Sequence, residues 1–382
     1  MQIAVPKEHG TDERRVALVP EVVRKLSGRG IDVVVEQGAG ERALIADSAF
    51  EEAGAKIVQS ADVWSSDVVI TIAPPTTEQI GSMKPDALLI GFLAPLTSAP
   101  TAVAARDAKV TAFAMEAVPR ISRAQAIDAL SSQSNVAGYE AVILAAEELT
   151  RFFPMLMTAA GTIPPAKVLV LGAGVAGLQA LATARRLGAV ATGYDVRPEV
   201  AEQVESLGAT FLDLGIEAAG EGGYARELSD EERAAQQQAL NEAITGFDVV
   251  VTTALVPGRP APKLISAAAV EGMRAGSVIV DLAGESGGNC ELTVPGEKTV
   301  VHGVTILSPL NLPAQMPEHS SQLYARNVLA LLDLMINDGE EGAATTLVPD
   351  FEDEIISGSC IARNGEIVHP GAKAAAEGAA GA

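Results

Sequence analysis

The sequence is poor in positive charge, with 27 Lys and Arg against 49 Asp and Glu over 382 residues and a formal net charge of -22. Phosphate backbones and anionic lipid surfaces attract clustered Lys and Arg, so direct nucleic-acid binding is excluded as a first reading, and the acidic surface serves solubility. Cysteine is scarce: Cys290 and Cys360 lack metal-ligand spacing and read as reduced core residues rather than a disulfide. The four histidines, His9, His302, His319 and His369, form no triad and no metal-binding pattern, so no metal is expected. No apolar run reaches the roughly 18 residues of a membrane span, and Asp333 interrupts the best late candidate, so no direct membrane insertion is expected. The opening MQIAVPKEHG has no basic region followed by a long apolar run and reads as a first strand rather than a secretory signal.

What is present is apolar sequence, 48% of the chain, enough to fill two cores at a length that one core seldom organises. The first stretch alternates short apolar runs (QIAV, IDVVVEQG, DVVITIA, ALLIGFL, KVTAFAME) with helical patterns such as PEVVRKLSGRG and SAFEEAGA. Strands separated by helices predict βα units around a mainly parallel sheet. From Ser134 to Phe153 apolar residues recur at helical spacing, predicting one long helix that Ser131 or Ser134 caps and Pro154 follows. A second βα series follows, with strands KVLVLG, VATGYDV, ATFLDL, FDVVVTTA and SVIVDLA. The acidic stretch GIEAAGEGGYAREL reads as a long loop, and Ser229 with Glu232 has capping-box spacing. A late helix, YARNVLALLDLMI, is expected to return to the first domain, and the closing AKAAAEGAAGA reads as a frayed end.

Gly172, Gly174 and Gly177 form G-x-G-x-x-G directly after a predicted strand and at the start of a predicted helix, the context that the dinucleotide fingerprint requires. The first glycine permits the tight turn, the second lets backbone approach pyrophosphate, and the third lets helix and strand pack closely. Val175, Ala176 and Gly177 then offer helix N-terminal N–H groups to phosphate. Asp195 closes the next strand some 20 residues on, where a carboxylate accepts from the adenosine ribose and repels a 2′-phosphate, so NAD(H) is preferred over NADP(H). Val196 follows it, and Arg197, two positions beyond, could reach a 2′-phosphate or cover the adenine face. Thr253, Ala254 and Leu255, after a later strand end, are expected to line the same site. The resulting fold class is α/β, a Rossmann doubly wound parallel sheet (131–315, binding NAD(H)) inserted in a second, Rossmann-like α/β domain (1–130 plus 316–382).

The segment RISRAQAID, running into LSSQSNVAGY, resembles the soluble NAD(H)-binding component of proton-translocating NAD(P) transhydrogenases. The resemblance continues through VPKE, ERRVAL, TAAGT, VESLGA, GGYA, TTAL and GEIVHP and covers essentially the whole chain. It implies hydride transfer between NAD(H) on this chain and NADP(H) held by a partner. The other implied partners are membrane-spanning components, which would keep this chain at the cytoplasmic face of the membrane, and a second copy in a homodimer. By the same resemblance Arg120, Gln125 and Asp128, with Ser131 beside them, contact the nicotinamide end, and Gly222 to Arg226, including Tyr224, form a mobile loop over the nucleotide. A glycine pair can act as a hinge and Tyr224 supplies an aromatic face with a hydroxyl.

The fold is shared with alanine dehydrogenase, which moves protons as well as hydride and needs an acid/base side chain near the reacting carbon. Where that family places a lysine and a histidine, this sequence has Ala73 and Ala94; its arginine survives as Arg15 within ERRVAL. Hydride transfer between two nicotinamides requires only well-placed rings, so the loss fits the transhydrogenase reading. An alanine dehydrogenase-like oxidoreductase using Asp128 or Glu285, and a noncatalytic NAD-sensing module, stay open at this point.

Overall fold

A computed structural model of the chain describes residues 1–10, 12–214, 229–256, 258–338 and 345–380. It divides into two compact units, Met1–Gln133 with Pro313–Ala382, and Ser134–Leu312. Each is built on a doubly wound sheet. Among the described residues, the first unit's sheet runs in the order Glu366–Ile367, Cys360–Arg363, Thr111–Ala114, Leu88–Gly91, Val68–Ile70, Gln2–Val5, Asp32–Glu36, Lys56–Val58. All pairs are parallel except those made by the two late strands. The second unit's sheet runs Thr210–Phe211, Val190–Tyr194, Lys167–Leu171, Val249–Thr252, Val278–Asp281, Val304–Leu307, Lys298–Val301, with only the last pair antiparallel.

The reason for the near-continuous apolar strands is visible in where alternate residues go. In the first unit Ile3, Val5, Val33, Val35, Val68 and Ile70 face one core, while Ala4, Val34, Val69 and Leu89 face the core on the opposite side of the sheet. The second unit repeats this with Val168, Val170, Val249 and Val251 against Leu169, Leu171 and Val250. A parallel sheet covered on both faces has no solvent side, so an alternating apolar and polar pattern would bury unpaired polar groups.

Strand order reverses beside the first strand of each large sheet: between Gln2–Val5 and Val68–Ile70, and between Lys167–Leu171 and Val249–Thr252. The loops at the carboxyl ends of such neighbouring strands diverge, leaving the crevice where ligands bind in open α/β sheets.

Two expectations are corrected. The long helix spans Ala129–Glu148 rather than beginning near Ser134. Its start is set by Asp128, whose carboxylate accepts the backbone N–H of Ser131 at 2.9 Å and the Ser131 hydroxyl at 2.6 Å; Ser131 receives the cap rather than supplying it, and Ser134 lies inside the helix. The expected frayed end is a helix, Pro370–Ala380, because Pro370 pre-sets the first turn and the small Ala372 is fully buried in the first unit's core. The Ser229 capping box forms as read, with both reciprocal bonds present. The late helix, Pro317–Asp333, lies in the first unit and buries Tyr324, Val328 and Leu331 in its core.

Gly138, in the long helix, lies so close to the Ala176 carbonyl of the helix Val175–Arg186 that a Cβ would overlap it. Helix propensity alone favours Gly→Ala by about 1 kcal/mol, whereas forcing backbone apart costs about 1–3 kcal/mol. Overlap decides the sign: Gly138→Ala should lower stability in urea unfolding, and a stabilised variant would show that this contact is loose.

Candidate functional site

The glycine turn is held by backbone before any side chain takes part. Gly172 adopts φ +95°, a conformation that side chains rarely accept, and its N–H donates to the Tyr194 carbonyl at 2.8 Å. Its own carbonyl accepts the Thr253 hydroxyl at 2.8 Å, so the loops after Lys167–Leu171 and Val249–Thr252 meet at the switch point. A Cβ on Gly177 would fall onto the Gly172 carbonyl oxygen; a Cβ on Gly174 would meet nothing within 4 Å. The third glycine therefore serves packing, and the second faces open space.

Gly174 is also the N-cap of the helix Val175–Arg186 and supplies no side-chain cap. The first N–H groups of that helix have no intrahelical acceptor, and the helix dipole adds partial positive charge there. The turn therefore fits a pyrophosphate: bare backbone donors, a positive pole, and room where a Cβ would otherwise stand.

Asp195 directly follows the adjacent strand, Val190–Tyr194, with its side chain only 7% exposed. Oδ2 accepts from Ala173 N–H at 2.8 Å and Arg197 Nη2 at 3.0 Å; Oδ1 accepts from Arg197 N–H at 3.0 Å and Nε at 2.9 Å. Burial works to raise its pKa, but the Arg197 guanidinium and the two amides outweigh it and hold the carboxyl below the usual range. The same burial, with Asp195 alongside, pushes the Tyr194 phenol up. Exposed apolar side chains rim this edge: Val175, Val196 and Leu255.

The Thr253–Leu255 loop is fixed by a residue that sequence reading missed. Asn289 is fully buried; its Oδ1 accepts the Ala254 N–H at 3.1 Å, while its Nδ2 donates to the carbonyls of Ala254 at 2.9 Å and Pro262 at 2.8 Å. Beside it, buried Asp281 accepts from the Thr252 and Thr293 hydroxyls and from the N–H groups of Ala283 and Cys290. The only sequence signal was a strand ending in Asp followed by Gly287-Gly288-Asn289.

The remaining candidates belong to the first unit. Arg120 and Gln125 are exposed on the loop preceding the long helix, and Asp128 with Ser131 forms that helix's cap. Two anchors hold this loop. Arg123 donates to both oxygens of Asp353, at 2.6 and 3.0 Å, and Asn327 donates to the Ala126 carbonyl at 2.8 Å while accepting from the Ser132 hydroxyl at 2.7 Å. Tyr224 and its neighbours Gly222 to Arg226 lie outside the described residues. Among the described residues no group of three or more His, Cys, Asp or Glu could hold a metal ion.

Beyond the carboxyl ends of the first unit's strands, the backbone N–H of Ala73 donates to Glu8 at 3.2 Å, and that of Ala94 to Glu116 at 2.5 Å. The two alanines thus meet carboxylates through backbone. Arg15 is buried against Glu13, at 2.8 and 2.7 Å, with Gln133 accepting from its Nη1 at 2.8 Å.

Two Rossmann-like units in one chain, one of them carrying the glycine fingerprint with an acidic strand end beside it, define a two-domain α/β protein of the dinucleotide-binding type. The chain belongs to the alanine dehydrogenase/PNT family: residues 4–137 match the model of its N-terminal domain and residues 141–370 that of its C-terminal domain. It is 49% identical over 381 residues to the first of the polypeptides that make up the NAD(P) transhydrogenase alpha subunit of Rhodospirillum rubrum, covering 97% of this chain and 98% of that protein. The crystal structure of transhydrogenase from Sinorhizobium meliloti superposes with TM-score 0.84 at 41% identity, over 97% of this chain and 99% of that one. Alanine dehydrogenase of Mycolicibacterium smegmatis is more distant, 30% identical over 91% of this chain and 90% of that protein.

Burial pushes Glu8 up to about 7, against amides of Ile72 and Ala73 that pull it down. A raised carboxyl contributes stability that is complete below its unfolded value of 4.5 and is lost as pH rises through about 7. The span corresponds to at most about 3 kcal/mol. Glu8→Gln, which removes the charge and keeps one of the two acceptor oxygens, should flatten the fall in unfolding free energy between pH 5 and 8; an unchanged slope in the variant would assign that fall to other groups.

Proposed function

We propose that this chain is the NAD(H)-binding component of a proton-translocating NAD(P) transhydrogenase. The observation that carries the reading is the pairing of an open glycine turn and Asp195 with alanines at the two positions where alanine dehydrogenases place acid/base groups. Bound NAD(H) supplies the transferable hydride; everything else asked of the protein is binding and orientation.

In this reading Gly172, Gly174, Val175, Ala176 and Gly177 present backbone N–H groups to the pyrophosphate. Asp195 takes the adenosine ribose and disfavours a 2′-phosphate, Val196 and Leu255 give apolar contact, and Thr253 and Ala254 complete the edge under the control of Asn289. Arg120, Gln125, Asp128 and Ser131 orient the nicotinamide end. Asp128, with both oxygens engaged by Ser131, is suited to shaping the loop and not to shuttling protons.

NADP(H) is held by a partner component, with membrane-spanning components completing an enzyme at whose cytoplasmic face this chain resides. Among the described residues no helix is long and apolar enough to cross a membrane, which fits attachment through partners. A homodimer is supported by the hairpin Leu156–Thr158 and Gly161–Ile163, a two-stranded sheet with exposed Met157 and Ile163; such a ribbon is marginal without further packing.

The decisive assay mixes this chain with an NADP-binding transhydrogenase component and follows reduction of acetylpyridine NAD by NADPH. Transfer supports the assignment. NADH binding without transfer to any such component would instead favour a nucleotide-sensing module, and NAD-dependent turnover of alanine would favour a dehydrogenase.

Two substitutions separate binding from orientation. Gly174→Val places branched carbons in space that the fold leaves open, so the variant should melt like the parent yet fail to bind NADH by calorimetry. Gln125→Asn should cut single-turnover transfer on the order of 10-fold to 100-fold while changing NADH affinity modestly, because hydride transfer is sensitive to small displacements. Transfer at the parental rate would make the loop a structural connector.

A further inference from the structure

We propose that Arg197 occupies the ribose-binding face of Asp195 in the nucleotide-free protein, so that NAD(H) binding is an exchange of partners on that carboxylate. This rests on the assignment of the glycine turn and Asp195 to NAD(H).

The geometry is one of saturation. A carboxylate offers about four lone-pair sites, and Asp195 has four donors upon it: Ala173 N–H, Arg197 N–H, Arg197 Nε and Arg197 Nη2. With its side chain 7% exposed, no further face is presented to a ligand. Two of the four donors are backbone and stay in place whatever binds. The other two, Nε and Nη2, belong to one guanidinium that spans both oxygens, as a ribose diol with two O–H donors would.

Arg197 is free to leave. Its side chain is 53% exposed, and among the described residues its side-chain hydrogen bonds all go to Asp195. The exchange is two donors for two, so the buried carboxylate is compensated both before and after binding. An unpaired carboxylate at this depth would carry a desolvation penalty that ligand binding relieves, and affinity would rise accordingly. Arg197 removes that penalty from the empty state. The consequence is weaker holding and faster release, useful to a component whose turnover includes nucleotide departure. Arg197 is thus a gating residue on the binding step.

The test is stopped-flow and calorimetric binding of NADH and NADPH to the unmodified full chain, Arg197→Ala and Arg197→Lys. Removing the competing guanidinium should tighten NADH binding roughly three- to tenfold, mainly through slower dissociation. It should also widen the preference over NADPH, since the bare carboxylate repels a 2′-phosphate more strongly. Arg197→Lys, a point charge without the planar fork, should fall between the two. Added salt, which screens the half-exposed pair, should narrow the NADH affinity gap between parent and Arg197→Ala. Melting of each variant confirms that the fold is intact. Unchanged or weaker NADH binding by folded Arg197→Ala would overturn the exchange and make Arg197 a direct contact of the nucleotide or a bystander. Absence of NADH binding by the unmodified protein would overturn the nucleotide assignment itself.

Discussion

Backbone meets backbone at the glycine turn, and the geometry of the second unit's edge follows from that contact. Gly177 has no room for a Cβ because the Gly172 carbonyl lies against it, and Gly138 has none because the Ala176 carbonyl does. The helix Val175–Arg186 is therefore pressed onto its own strand on one side and onto the long helix Ala129–Glu148 on another. With the helix pinned this closely, its N-terminal amides point out of the sheet edge and Gly174 is left facing open space. A larger residue at either packing glycine would move the helix by a fraction of its own radius. The amides would then be displaced from the edge where Asp195 and Thr253 stand, and anion binding at a helix start depends on where those amides point.

Carboxylates organise the edges around that contact, which gives the chain's acidity a structural side. Asp195 accepts from the amides of Ala173 and Arg197, Asp281 from Ala283 and Cys290, Asp128 from Ser131, Glu8 from Ile72 and Ala73, and Glu116 from Ala94. Each sits at or near the carboxyl end of a strand or the start of a helix, where amides lack partners in the regular ladder. A carboxylate has acceptor capacity for two or more such amides at once, which a hydroxyl or amide side chain matches less well. Their environments separate them: Asp195 is held down by Arg197, whereas burial drives Glu8 and Glu116 up.

The features of this structure legible in the sequence are those set by neighbours along the chain. The glycine turn, the strand ending at Leu171, the acid directly after Tyr194, the Ser229 capping box and the apolar strands each leave a mark in consecutive residues: a glycine spacing, a cap pair or an unbroken apolar run. What escaped rests on partners far away. Asn289 reaches Ala254, Asn327 reaches Ala126 and Ser132, and Arg123 reaches Asp353; nothing in the residues flanking these side chains announces the distant carbonyl or carboxylate. The long helix begins earlier than its apolar pattern because Asp128 starts it, and a cap can precede the periodic stretch by a full turn. The C-terminal helix was hidden by composition, since an Ala- and Gly-rich tail looks unfolded until Ala372 is seen to fill a small gap in the core.

In the first unit, loops at the carboxyl ends of the strands are held by backbone donors rather than by acid/base side chains. Ala73 and Ala94 keep the loops in place through backbone N–H groups bound to Glu8 and Glu116, so these loops hold their course without a lysine or histidine there. Arg15 is likewise committed, its guanidinium divided between Glu13 and Gln133. A substrate carboxylate entering here would meet Glu8 and Glu13 beside an arginine already engaged, an unfavourable field for an anion. Hydride transfer between two nicotinamides makes no demand on that field, because no proton moves at the reacting carbons. The same scaffold thus keeps its sheet, its switch point and its loop anchors without an acid/base pair at these two positions; under the function proposed above, the requirement becomes placement of a ring, the task that proposal assigns to Gln125, Asp128 and the residues that hold their loop.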